Sequence, residues 1–240
     1  MKSLADGYGY NERIFESKGL RSYFHLARFR WLREKIAVYH GADRVGRAME
    51  LGCFDGKAVN FFPEGLPKEY LGFDANWENG LDLARLKFAD ATGFSFREVS
   101  QASQFNLSDQ SPFQVAISME TLEHIDPAEL DLYLQRIADK LAGHFFITVP
   151  NEKGTFFLLK WLAKRLMSKD GERYTAREVV AATLGRMHLV ERDQHKGFDW
   201  ERLVQQVNKH FDVVEVSGHP FSALPTSLCF SVGIVARTRR

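Results

Sequence analysis

The chain predicts an α/β fold: a doubly wound, mostly parallel sheet that ends in an antiparallel strand. Three observations predict it. An apolar run, Ala48-Met49-Glu50-Leu51, enters a turn marked by Gly52 and Gly56 and leaves through a short helical pattern at Val59, Phe61 and Phe62, which Pro63 stops. Strand-like runs then alternate with helical ones as far as Asn151. The last two strand-like runs, Phe211 to Val216 and Leu228 to Ala236, are joined by a connection with Pro220, Pro225 and no helical period, so they pair antiparallel.

Each element has its own local signal. Tyr8 to His40 reads as helical, with Phe24, Arg28, Trp31, Leu32 and Lys35 at helical spacing and Gly41 as a stop, and is expected to cover one edge of the sheet. The first strand spans Arg44 to Leu51. The second, Tyr70 to Phe73, ends on Asp74 and leads into a helix from Asn76 to Ala89; the third is Phe94 to Val99. Strand four, Phe113 to Ser118, delivers Met119-Glu120-Thr121-Leu122-Glu123-His124-Ile125. Asp126 then caps a helix with Pro127 at its first position, and Leu130, Leu134, Ile137 and Leu141 line one face. Strand five, His144 to Val149, closes on Pro150-Asn151. From Lys153 to Ser168 apolar residues spread almost around the helix, which predicts burial; its Lys160, Lys164, Arg165 and Lys169 leave a substrate lid or a membrane-surface contact as the alternative. Further helices are expected over Thr175 to Leu184 and, behind an Asp199 cap, over Trp200 to Lys209.

Composition narrows the function. The 240 residues suit one large α/β domain: a helical cap over 1–43, a core over 44–151, a helical insertion over 152–210 and a strand pair over 211–240. A formal net charge of +1 gives no global attraction to phosphate backbones, so no nucleic-acid partner is expected. Two cysteines, Cys53 and Cys229, make no disulfide framework, and no signal peptide or membrane span is legible. The expected compartment is the cytoplasm.

The glycine turn departs from the dinucleotide pattern, because Phe54 stands where a second glycine would let the main chain approach a pyrophosphate. With Glu50, Gly52 and Gly56 around it, the turn resembles the first motif of the class I S-adenosylmethionine-dependent methyltransferases, which have a Rossmann-like fold. The segments Ser-Met-Glu-Thr-Leu-Glu-His-Ile and Ile-Thr-Val-Pro-Asn strengthen the likeness, which spans about Arg44 to Asn151 and is similar to the small-molecule branch of ubiquinone-pathway and sugar methyltransferases. The resemblance implies S-adenosylmethionine as cofactor, a small-molecule acceptor such as a sugar, quinone-like or lipid-linked hydroxyl, and a lid role for the N-terminal helix.

Within this frame Glu50 suits the methionyl ammonium, the N–H groups of the helix at Gly56 suit the carboxylate, and Asp74 suits the ribose diol. Cys53, Gly52, Ala75, Met119 and Glu120 are expected to line the cofactor. The resemblance places an adenine-binding acid after strand three; this chain has Ser100-Gln101-Ala102, leaving Gln101 or Ser100 as acceptor. His124 and His195 are the candidate general bases. No metal is expected, since His188, Asp193 and His195 match no metal spacing and Glu120 and Glu123 lack an evident partner. The competing readings are a nucleotide-dependent oxidoreductase, disfavoured by Phe54, and a methyltransferase-like binding protein without catalysis.

Overall fold

A computed structural model describes residues 20–167, 174–193 and 195–239. Seven strands form one sheet: β1 (Arg47–Leu51), β2 (Glu69–Asp74), β3 (Phe94–Glu98), β4 (Phe113–Met119), β5 (Leu141–Pro150), β6 (Phe211–His219) and β7 (Ser231–Thr238). Their order is β3-β2-β1-β4-β5-β7-β6. The first five pair in parallel, whereas β7 runs antiparallel to both β5 and β6. The sheet is therefore mixed, and the order reverses between β1 and β4. In such sheets ligands bind beyond the carboxyl ends of the strands at that reversal.

Alternation along the central strands divides the core between two faces. Met49 and Leu51 of β1, with Ala116 of β4, join α3 (Pro127–Lys140) and α6 (Trp200–His210) on one side. Ala48, Val115 and Ile117 join Trp31, Leu32 and Ile36 of α1 (Leu20–Tyr39) on the other. Glu50 points to this second side and is almost wholly buried. The remaining helices are α2 (Gly80–Lys87), α4 (Gly154–Met167) and α5 (Ala176–Thr183).

Several boundaries and environments differ from expectation, each for a local reason. The segment after the glycine turn is a 3-10 helix, Lys57–Phe61, too short for an α-helical turn to settle before Pro63. The helix expected from Asn76 begins only at Gly80, because Asn76, Glu78 and Asn79 all take left-handed backbone angles. The N-terminal helix lies across a face of the sheet, not an edge. Trp31 packs directly on Gly233 of β7 and donates to Ser217 Oγ at 3.0 Å. The part of that expectation before residue 20 lies outside the described residues, as do Ser168 and Lys169.

The largest correction concerns α4. Phe157 is buried, in a small cluster with Val179, Ala182 and Met187. Leu159, Leu162 and Leu166 are exposed, Leu166 at 87%, so the helix is buried on one face only. Apolar residues all round did not mean burial all round, since nothing in the described chain covers the outer side. Among the described residues no helix is long and apolar enough to cross a membrane.

Candidate active site

A cavity of about 680 Å³ opens at the carboxyl ends of β1, β2 and β4, within the range of small-ligand and cofactor sites. It starts at the glycine turn. Gly52, at φ 80°, presents its N–H to the Phe73 carbonyl at 2.7 Å, and a β-carbon there would collide with the Thr121 side chain. Only glycine keeps this stretch of backbone bare to the cavity. Phe54 adopts φ 45° although it is not glycine; its ring packs against the bare Gly80.

Acidic groups line this end. Tyr70 Oη donates a short hydrogen bond to Glu50 Oε2. Burial first, with the charges of Asp55 and Asp74 added, raises the Glu50 carboxyl to about 8 against the Tyr70 hydrogen bond and Arg28, which hold it back. Asp74 Oδ2 accepts from Phe54 N at 2.9 Å, and its Oδ1 accepts from Asn76 N at 2.8 Å. Burial raises Asp74 too, against those backbone hydrogen bonds. The carboxylate has acceptor capacity left beyond these backbone bonds, and the residue lines the cavity. Asp74 thus ties the glycine turn to the loop after β2, so it does more than start a helix.

Of the other positions expected to meet a cofactor, Cys53, Ala75, Met119 and Glu120 line the cavity. Burial pushes the Cys53 thiol well up, so it is no nucleophile at neutral pH. Two positions do not line it. Gly56 turns the chain at φ 71°, but its N–H bonds the Cys53 carbonyl at 2.8 Å and that of Lys57 bonds Asp55 Oδ1 at 3.2 Å. The N–H groups expected to be open at that helix start are therefore occupied. Gln101 forms a capping box with Gln104 on a 3-10 turn, and Ser100 borders the cavity in its place.

At the far end, β4 delivers Glu120 at φ 53°, followed by a 3-10 turn, Leu122–His124. Glu123 is wholly buried within that turn. His124 Nε2 stands 3.9 Å from Glu123 Oε1, and His195 Nδ1 stands 4.0 Å from the same oxygen. The two imidazoles meet edge to face at 4.5 Å. Burial pushes Glu123 well above the usual carboxylate range, and the neighbouring Glu120 charge adds to it. Burial, His195 and Arg192 push His124 down to about 4, so its ring is neutral at physiological pH. Glu123 does have partners: His195 folds over from the segment before α6. His188 and Asp193, the other two members of the spacing considered for a metal, do not join this group.

The resemblance implied a lid role for the N-terminal helix, but sequence reading did not name the residues that reach the cavity from it. His25, Arg28 and Phe29 reach the cavity from α1, and Trp77 reaches it from the loop after Asp74. The spacing of His25 and Arg28, one helical turn apart and close to the apolar stripe, was the available signal. The Val-Pro-Asn motif acts outside the cavity. Asn151 Nδ2 donates to the carbonyls of Thr226 at 2.7 Å and Cys229 at 3.0 Å, pinning the end of β5 to the entry of β7.

Comparisons with known proteins fit this geometry. A family model described as a methyltransferase domain matches residues 23–208. A search of curated proteins finds no match. Among solved structures, an S-adenosylmethionine-dependent methyltransferase from Clostridium acetobutylicum superposes with a TM-score of 0.60 at 13% identity, covering 96% of each chain. Magnesium protoporphyrin IX methyltransferase from Synechocystis, with bound S-adenosylhomocysteine, gives 0.54 at 11% identity over 97% of this chain and 89% of that one. The N-terminal domain of EvdMO1, in the presence of S-adenosylhomocysteine and D-fucose, gives 0.53 at 16% identity over 94% and 90%. The turn at Gly52, the acid closing β2 and the cavity at the strand ends fit the methyltransferase fold. The chain belongs to the class I S-adenosylmethionine-dependent methyltransferase family.

Proposed function

We propose that the protein methylates a hydroxyl group of a small molecule, a sugar, quinone-like or lipid-linked intermediate. One observation carries this reading. A single cavity runs from Glu50, Gly52 and Asp74 to Glu120, His124 and His195, so a cofactor end and a group of ionisable side chains share one cleft. Two structural relatives, crystallised with magnesium protoporphyrin IX chemistry in their name or D-fucose in the sample, are in keeping with acceptors of that size.

When bound, the cofactor supplies an electrophilic methyl group on a sulfonium. The chain's own residues bind, orient and handle the proton. Glu50 faces the methionyl ammonium and Asp74 the ribose diol, with Ala75, Met119 and Ser100 along the remaining wall. Phe29 of α1 and Trp77 add aromatic surface to the cavity wall. The acceptor oxygen is held at the Glu120, His124 and His195 end, where its proton must leave.

The test supplies a small-molecule extract and a nucleic-acid fraction with methyl-labelled S-adenosylmethionine. Label on oxygen in the small-molecule pool is expected, and Asp74→Ala should slow its appearance at limiting S-adenosylmethionine. Label confined to nucleic acid or protein contradicts the proposal.

A further inference from the structure

We infer that Glu123, His124 and His195 form a binding site for a divalent first-row transition ion at the acceptor end of the cavity. Each residue offers one ligand atom, and the three atoms lie within 4.8 Å of one another. Bonds of about 2.0–2.2 Å to carboxylate oxygen and imidazole nitrogen bring such atoms to about 3–3.5 Å, so side-chain shifts on the order of an ångström close the set. Two imidazoles and one carboxylate are a donor set for zinc, manganese or iron, and less suited to calcium.

A second observation points the same way. The Glu123 side chain is wholly buried, and among the described residues neither of its oxygens accepts a hydrogen bond. A buried carboxylate whose oxygens accept no hydrogen bond is costly to keep ionised, and a cation held between it and the two imidazoles would offset that cost. Arg192 offsets part of that cost through its charge but makes no hydrogen bond to the carboxyl: it donates to the Glu123 carbonyl at 2.6 Å and lies over the Phe198 ring. Glu120, which also lines the cavity, holds a third buried oxygen without a hydrogen bond. Its left-handed backbone, φ 53°, is strain held at that point.

The inference rests on the hydroxyl-methylation reading and deepens it. Three protein ligands leave positions open on the ion, as in catalytic metal sites. An acceptor hydroxyl entering one of them is acidified: its O–H bond breaks, the electron pair stays on oxygen, and the proton leaves to water. His124 and His195 then act as ligands in place of the free bases the sequence suggested, and the metal-free expectation is replaced. Acceptors with two adjacent hydroxyls, as in a diol or catechol, fill two positions at once and are favoured.

The test begins with chelator-treated full-length protein and follows uptake of Mn2+ by electron paramagnetic resonance, with Zn2+ as competitor. One saturable equivalent is expected, displaced by Zn2+. Glu123→Gln and His195→Ala should each weaken it by more than about 100-fold, since loss even of a supporting contact costs 10–100-fold. Thermal melts on both variants confirm that the fold persists, and His195, on a half-exposed turn, is the safer substitution. No saturable uptake in the parent, or unchanged uptake in a folded His195→Ala variant, overturns the site. S-adenosylhomocysteine titrated into the same metal-free samples keeps the two ideas apart. Its binding without Mn2+ uptake rejects the ion and leaves the methyltransferase reading standing, whereas failure of both rejects both.

Discussion

Phe54 shows how residue-scale strain is held in place at the site. Its φ of 45° is a left-handed angle that costs an L-residue about 1–2 kcal/mol. Packing of its ring on Gly80 and the hydrogen bond from its N–H to Asp74 compensate. Asp74 therefore has two tasks, and Asp74→Ala should weaken S-adenosylhomocysteine binding by about 1–3 kcal/mol, read by calorimetry, with a lowered melting temperature alongside. Glu50 adds a pH dependence whose sign follows from its raised carboxyl. Below about 8 the empty site holds a proton on Glu50. Binding of an ammonium favours the carboxylate and expels that proton. Affinity should then fall as pH drops from 7.5 to 5.5, with proton release visible as a buffer-dependent binding heat. Glu50→Gln should bind more weakly with a flat pH profile over that window. A parent profile already flat there would contradict the role given to Glu50.

Elements set how far such changes spread. Helix α1 carries His25, Arg28 and Phe29 to the cavity and presses Trp31 on Gly233 of β7. A β-carbon at Gly233 collides with the Trp31 indole, so Gly233→Ala should cost about 1–3 kcal/mol by overpacking. If the displacement of Trp31 is carried along α1 to His25, Arg28 and Phe29, cofactor affinity should fall in the same variant although Gly233 lies outside the cavity lining. Urea denaturation and calorimetry on that one variant read both effects, and lost stability with unchanged affinity would show α1 to be a cover only. Helix α4 differs in kind. Its outer leucines rest on nothing in the described chain, and Lys164 and Arg165 stand beside them in sequence. That face was misread because apolar periodicity reports what can be buried and not whether a neighbour exists to bury it.

At the scale of the molecule, what was legible in sequence was what is decided locally. The glycine turn, Asp74 at the end of β2, and the Asp126–Pro127 start of α3 are each fixed by residues within a few positions, and the structure has all three. The strand pair β6–β7 was legible for the same reason, since its connection leaves no room for a crossover helix. Long-range placements were hidden. His195 reaches Glu123 from more than 70 positions away, and His25 and Arg28 face a turn formed well after them. No local pattern encodes such meetings; packing of the sheet makes them. The account's central claim is that the bare backbone at Gly52 floors an S-adenosylmethionine site. The most direct measurement is calorimetric titration of S-adenosylhomocysteine and of NAD into the parent and into Gly52→Val, with a thermal melt of each. The prediction is one equivalent of S-adenosylhomocysteine bound by the parent, no NAD, and neither ligand bound by a folded Gly52→Val variant. NAD binding without S-adenosylhomocysteine, or a Gly52→Val variant that binds like the parent, would contradict it.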